Sequence, residues 1–158
     1  MQLTQFTDYS LRVLMHLAYQ KGELCTIGDI AESHAVSENH LVKVVHQLAK
    51  FGYVETLRGK GGGLRLGRPA EKIGVGDVVR DMEGTIALSE CLVEGLRSGC
   101  RLLPACKLRV VFRDAQNAFL KHLDGFTLSD LLLSRPPPVA TLARRNQRIQ
   151  DRGDCRTI

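Results

Sequence analysis

Residues 53–69 read YVETLRGKGGGLRLGRP: two short alternating runs flank a five-residue tip, GKGGG, with four glycines. Alternation on both sides of a glycine-rich tip predicts a β-hairpin. Its neighbours must then supply the core, and the residues before it recur at helical rather than strand spacing. Thr7 or a neighbour caps a first helix running to about Gln20, with Leu11, Leu14, Met15 and Ala18 on one face and Gly22 as the stop. Thr26 followed by Asp29 resembles a capping box, opening a short helix that turns Ile27, Ile30 and Ala31 inward. Ser37 caps a third helix with Leu41, Val44, Val45 and Leu48 at helical spacing, ended by Gly52.

After the hairpin, Gly74 leads a short helix, GDVVRDME, closed by Gly84. Pro104, favoured at a first helical position, opens the longest helix, to about Leu123. Thr127 with Asp130 caps a last turn or two in TLSDLLL. The fold class is mainly α with a small β-hairpin: a winged helix-turn-helix followed by a long helix, without an internal repeat. A chain of 158 residues with 44% hydrophobic residues can bury one core without covalent staples. The N-terminal stretch lacks the pattern of a signal peptide, and no run approaches the roughly 18 apolar residues of a membrane span. A cytoplasmic protein with no membrane partner is expected, its five cysteines starting reduced.

The net charge of +5 is unevenly spread. From Arg135 onward, six arginines oppose only Asp151 and Asp154, so residues 134–158 read as a basic, disordered tail. In the folded part, Arg58, Lys60, Arg65 and Arg68 cluster with no acid among them. In a winged helix-turn-helix the third helix enters the major groove of a double-stranded DNA operator, N-terminal residues leading. Those are Ser37, Asn39, His40 and Lys43, opposite the apolar stripe. Asn39 suits adenine, and Lys43 suits guanine or phosphate. The hairpin offers Arg58, Lys60 and Arg65 to the backbone or minor groove, with Gly61 permitting close approach. A solvated helix face and a phosphate-cradling loop are the competing readings, but GKGGG lacks P-loop spacing and precedes no helix.

Three of the five cysteines, Cys91, Cys100 and Cys106, lie within sixteen positions at spacing C-x8-C-x5-C. That spacing matches neither zinc knuckles nor ferredoxin runs, yet three thiolates suit an iron–sulfur cluster if another residue adds a fourth ligand. His122, Asp124, Asp8 and His16 are candidates. Three unrelated thiols, or a reversible disulfide, are the plainer alternatives. An enzyme using Cys100 or Cys106 as nucleophile and His122 as base has no supporting motif. Cys25, beside Leu24 and Ile27, reads as a small buried hydrophobe, and Cys155 falls in the tail.

LTQFTDYSLRVLMHLA, the block TIGDIAESHAVSENHLVKVVHQLAKFGYVETLRGKGGGLRLGRPAEKIGVGDVVRDMEG and the cysteine segment resemble a family of bacterial winged-helix regulators. That family includes nitric-oxide-sensing repressors and iron–sulfur regulators. The resemblance runs from Met1 to about Leu133, and the ending ACKLRVVFRDAQNAFLKHLDGFTLSDLL is most similar to the nitric-oxide-sensing members. It implies a non-enzymatic repressor, a homodimer joined through the long helix, and nitric oxide as signal. It also implies an iron–sulfur cluster on Cys91, Cys100 and Cys106, with Asp8 of the other subunit as fourth ligand. A 4Fe–4S form is favoured over 2Fe–2S. The eight residues between Cys91 and Cys100 exceed the family's usual gap, so this loop must bulge. Residues 107–121 lack the histidine expected in an iron–sulfur regulator of the other branch. That branch, and a cluster-free thiol redox regulator, are the alternatives. The implied division is a DNA-binding region over 1–84, a cluster loop and dimerisation helix over 85–133, and the tail over 134–158.

Overall fold

The computed structural model describes residues 2–93, 95, 99–103 and 105–133; the basic tail and Pro104 lie outside the described residues. Three helices, α1 (Gln5–Tyr19), α2 (Ile27–His34) and α3 (Glu38–Lys50), precede an antiparallel hairpin of β1 (Val54–Leu57) and β2 (Gly63–Leu66). Helices α4 (Val75–Glu83) and α5 (Lys107–Asp124) follow, with 3-10 turns at Ala70–Lys72, Glu90–Leu92 and Leu128–Leu131. This is a winged helix-turn-helix with an added long helix.

Local chemistry explains most boundaries. Thr26 Oγ1 accepts from Asp29 N at 3.1 Å while Asp29 Oδ2 accepts from Thr26 N at 2.9 Å, the reciprocal box expected there. The same exchange joins Thr127 and Asp130. Ala35, at φ 52°, takes the left-handed turn that swings the chain from α2 into α3. Two expectations need correction. Thr4, not Thr7, caps α1, and Thr7 lies buried inside the helix. The cause is tertiary: Glu83, the last residue of α4, accepts from Thr4 N and from the hydroxyls of Thr4 and Thr7. The carboxylate thereby satisfies donors at the N-terminus of α1, where its charge is favoured. The long helix begins at Lys107 with Cys106 as its cap residue, not at Pro104.

The core joins Val13, Leu14 and Leu17 of α1 to Ile30 of α2 and to Leu41, Val44 and Leu48 of α3. Val54 and Leu64 of the hairpin and Val78 of α4 close it, each such burial contributing about 1.5–3 kcal/mol. The α1 stripe is rotated from expectation: Leu14 is buried, but Leu11, Met15 and Ala18 are only partly covered, and Val13, His16 and Leu17 take the interior. The strands pair from Val54↔Leu66 to Leu57↔Gly63. Cys25 extends this ladder, exchanging backbone hydrogen bonds with Leu64 at 3.1 and 2.8 Å. Tyr53 Oη donates to Asp81 at 2.6 Å, fixing the hairpin base to α4.

Helix α5 differs from the rest. It has no buried residue, and Leu108, Val110 and Val111 are exposed. Near its C-terminus Arg80 grips Asp124 through two 2.6 Å bonds, and Gly76 leaves room for that carboxylate.

Candidate nucleic-acid interface and thiol site

The leading turn of α3 carries its polar groups outward. Ser37, Asn39, His40 and Lys43 are all exposed, opposite buried Leu41, Val44, Val45 and Leu48. Ser37 occupies the cap position without a side-chain cap bond, so its hydroxyl remains available. A cavity of about 170 Å³, lined by Gln5, Phe6, Tyr9, His40, Lys43 and Val44, separates this turn from α1.

The wing presents Arg58, Lys60 and Gly61 at an exposed tip. Gly61 has φ 79°, a conformation that disfavours side chains, and a Cβ at Gly62 would collide with the Leu57 carbonyl. Arg58 and Lys60 form no ion pair among the described residues. Arg65 is different: opposite Glu55 in the strand register, it binds that carboxylate at 2.8 Å. Arg68 lies over the Tyr53 ring, 4.2 Å from its centre. The basic cluster of the sequence thus divides into two unpaired cations at the tip and two engaged ones nearer the base.

The thiols frame the segment between α4 and α5. Cys91 sits in the Glu90–Leu92 turn, half-buried, with its Sγ 3.1 Å from Ser89 Oγ. Arg109 Nε donates to the Cys91 carbonyl at 3.0 Å. Cys100 is exposed, and Cys106, partly exposed, caps α5. None is in a disulfide. Among the described residues, no three of His, Cys, Asp and Glu converge on a metal position. The donor set itself fits a soft iron centre: three reduced, accessible thiols on one segment.

The four candidates for a fourth ligand have distinct surroundings. Asp124 gives both oxygens to Arg80, and His122 packs edge-on against Phe126 at 5.2 Å. Asp8, in the first turn of α1 with its side chain 47% exposed, pairs with Arg12 at 2.9 Å. His16 is 2% exposed and belongs to a polar cluster that sequence reasoning did not find. Its Nε2 lies 3.2 Å from Gln20 Nε2 and 3.5 Å from Cys25 Sγ, its Nδ1 has no partner, and its ring meets His34 edge-on. Burial, then the neighbouring His34, holds His16 down to about 4 against an opposing pull from Asp29. Burial and Asp29 push the Cys25 thiol up to about 12, so it stays protonated and inert, a small core residue as expected. An i, i+4 pair of His16 and Gln20 was the only signal available, and it looks like any polar helix face.

Residues 3–134 match the family model Rrf2, described as an iron-dependent transcriptional regulator. Two relatives described as the HTH-type transcriptional regulator NsrR are similar over 136 residues. The Bacillus licheniformis protein is 47% identical, covering 85% of this chain and 94% of the relative. The Bacillus subtilis protein is 46% identical, covering 85% and 92%. CymR, the global cysteine regulator of B. subtilis, superimposes with TM-score 0.65 at 30% identity, covering 83% of this chain and 95% of its own. T. potens IscR superimposes with TM-score 0.62 at 25% identity, covering 83% and 85%. The named relatives are regulators, not enzymes. No described helix is long and apolar enough to cross a membrane.

Proposed function

The chain belongs to the Rrf2 family of iron-dependent transcriptional regulators, and from that premise we propose that it is a homodimeric repressor whose grip on its operator is released by nitric oxide. Transcriptional regulation through DNA is the shared property; the signal, the cofactor and the dimer are the proposal. The observation that carries it is that Cys91, Cys100 and Cys106 all lie on the one segment between α4 and α5 and none is in a disulfide.

In this reading residues 1–84 bind DNA and 85–133 bind the cluster and the second copy. Asn39 and Lys43 reach base edges, Ser37 and His40 support them, and Arg58, Lys60 and Gly61 contact the backbone or minor groove. Arg65 contributes through its pair with Glu55, steadying the wing. Cys91, Cys100 and Cys106 hold an iron–sulfur cluster, with Asp8 of the second copy as the oxygen ligand. The cluster supplies iron that binds a small diatomic such as nitric oxide. The rest follows from the chain. Cys91 lies beyond α4 and Cys106 caps α5, so holding both thiolates in one place fixes the path between those helices. The exposed Leu108, Val110 and Val111 give α5 an apolar face for the second copy. Half-sites about 34–36 Å apart demand a set distance between two recognition helices. With the thiol segment released, α5 no longer maintains that distance.

Protein purified without oxygen tests this. Wild type should carry a brown chromophore and release operator DNA on nitric oxide treatment. Cys91→Ala, Cys100→Ala and Cys106→Ala should each lose the chromophore, while Cys25→Ala keeps it. Full cluster retention in Cys100→Ala, or DNA binding indifferent to nitric oxide, would overturn the reading.

A further inference from the structure

Ser89 stands at the cap of the Glu90–Leu92 turn with extended backbone, φ −155° and ψ 157°. A serine at such a position ordinarily turns its hydroxyl to the first free N–H groups. Here it makes no cap bond, and its Oγ instead lies 3.1 Å from Cys91 Sγ. The turn is fixed by Leu92 N donating to the Ser89 carbonyl at 3.0 Å and Val93 N to that of Glu90 at 3.2 Å. Arg109, from the first turn of α5, clamps the Cys91 carbonyl. Cys91 is therefore held at its backbone and met at its sulfur.

We propose that Ser89 is a positioning residue for Cys91, donating its hydroxyl hydrogen to the sulfur and thereby tuning the iron that this thiolate holds. The inference rests on Cys91 being a cluster ligand. Between two neutral groups either atom can donate, but a metal-bound thiolate has no proton, so the serine must. A hydrogen bond to sulfur withdraws electron density from it and weakens its donation to iron. The reduced cluster gains relative to the oxidised one, and the reduction potential rises. Arg109 keeps the turn from drifting out of range.

The test compares wild type, Ser89→Ala, Ser89→Thr and Ser89→Val, assembled anaerobically with equal iron and sulfide content. Midpoint potential and the visible sulfur-to-iron charge-transfer bands are recorded, with no DNA present. Ser89→Ala should show a more negative potential and shifted bands, and Ser89→Thr should return both toward wild type. Thr and Val share a shape and differ by the hydroxyl, so they decide the matter even if alanine loosens the turn. Equal potentials and bands for Thr and Val overturn the role of Ser89 while leaving the cluster reading intact. A wild-type protein that takes up no iron and sulfide overturns both.

Discussion

His16 should make this fold acid-sensitive. The imidazole is 2% exposed and its Nδ1 lacks a partner. Burial holds its pKa at about 4 against 6.5 when free. As pH falls through 6.5 the unfolded chain takes up a proton that the folded chain refuses until about 4. Stability is therefore undiminished above 6.5 and is lost progressively down to about 4. Linkage over that window gives a loss of about 2 kcal/mol by about pH 5 and about 3 kcal/mol once both states are protonated. His34, also lowered chiefly by burial, adds a loss of the same sign. Urea unfolding of wild type and His16→Gln at about pH 7.5 and about pH 5 isolates the term. The variant can be less stable at both values through altered packing. What counts is the change with pH: wild type should lose about 2 kcal/mol more than the variant across the interval. Equal losses in the two proteins would show that His16 does not titrate as its burial demands.

The wing tip and base should separate in salt titrations of operator binding. Arg58→Ala and Lys60→Ala should each lower the salt slope by about one unit per lost phosphate contact, whereas Arg65→Ala, whose cation already serves Glu55, should change it less. Changes at Asn39 or Lys43 should instead reorder the affinities of operator variants, measured by competition binding; an unchanged ranking would make them structural. Gly76→Ala should place a methyl against the Asp124 carboxylate, loosen the Arg80 grip and cost about 1–3 kcal/mol by thermal melting, with no loss if the junction adapts freely. Asp8→Ala should leave a cluster on three thiolates but shorten its lifetime and change its spectrum; identical lifetime, spectrum and nitric-oxide response would leave Asp8 only as the partner of Arg12.

What could be read from the sequence was local. The Thr26–Asp29 and Thr127–Asp130 boxes, the Leu41–Leu48 stripe and the glycine tip each involve residues a few positions apart, so spacing alone encodes them. Thr4 escaped because its partner, Glu83, is 79 residues away, and a cap completed by tertiary contact leaves no mark at its own position. Arg65 looked like a free cation because its neutralisation by Glu55 depends on which residues face each other across the hairpin. On α1, periodicity selected Leu11, Met15 and Ala18 over Val13 and Leu17, since a helix covered on several sides presents no single clean stripe. The exposed polar residues that lead α3 were found because they lie opposite a regular apolar stripe, which spacing alone reveals. The hydroxyl on Cys91 was not, because serine two residues before cysteine specifies no conformation until the turn is built.

The bridge between Cys25 and Leu64 bears on how such a molecule can be switched. It ties the connection between α1 and α2 to the second strand of the wing, so close that a Cβ on Gly63 would stand 3.1 Å from the Cys25 carbonyl. Together with the Tyr53–Asp81 bond it removes the hinge that a protruding hairpin would otherwise have. The wing and the α1–α2 connection then share one set of rigid-body coordinates: six numbers describe both. A signal cannot adjust one against the other without breaking this backbone ladder. In the proposed dimer, control is left to the placement of the whole body, through the exposed Leu108, Val110 and Val111 of α5.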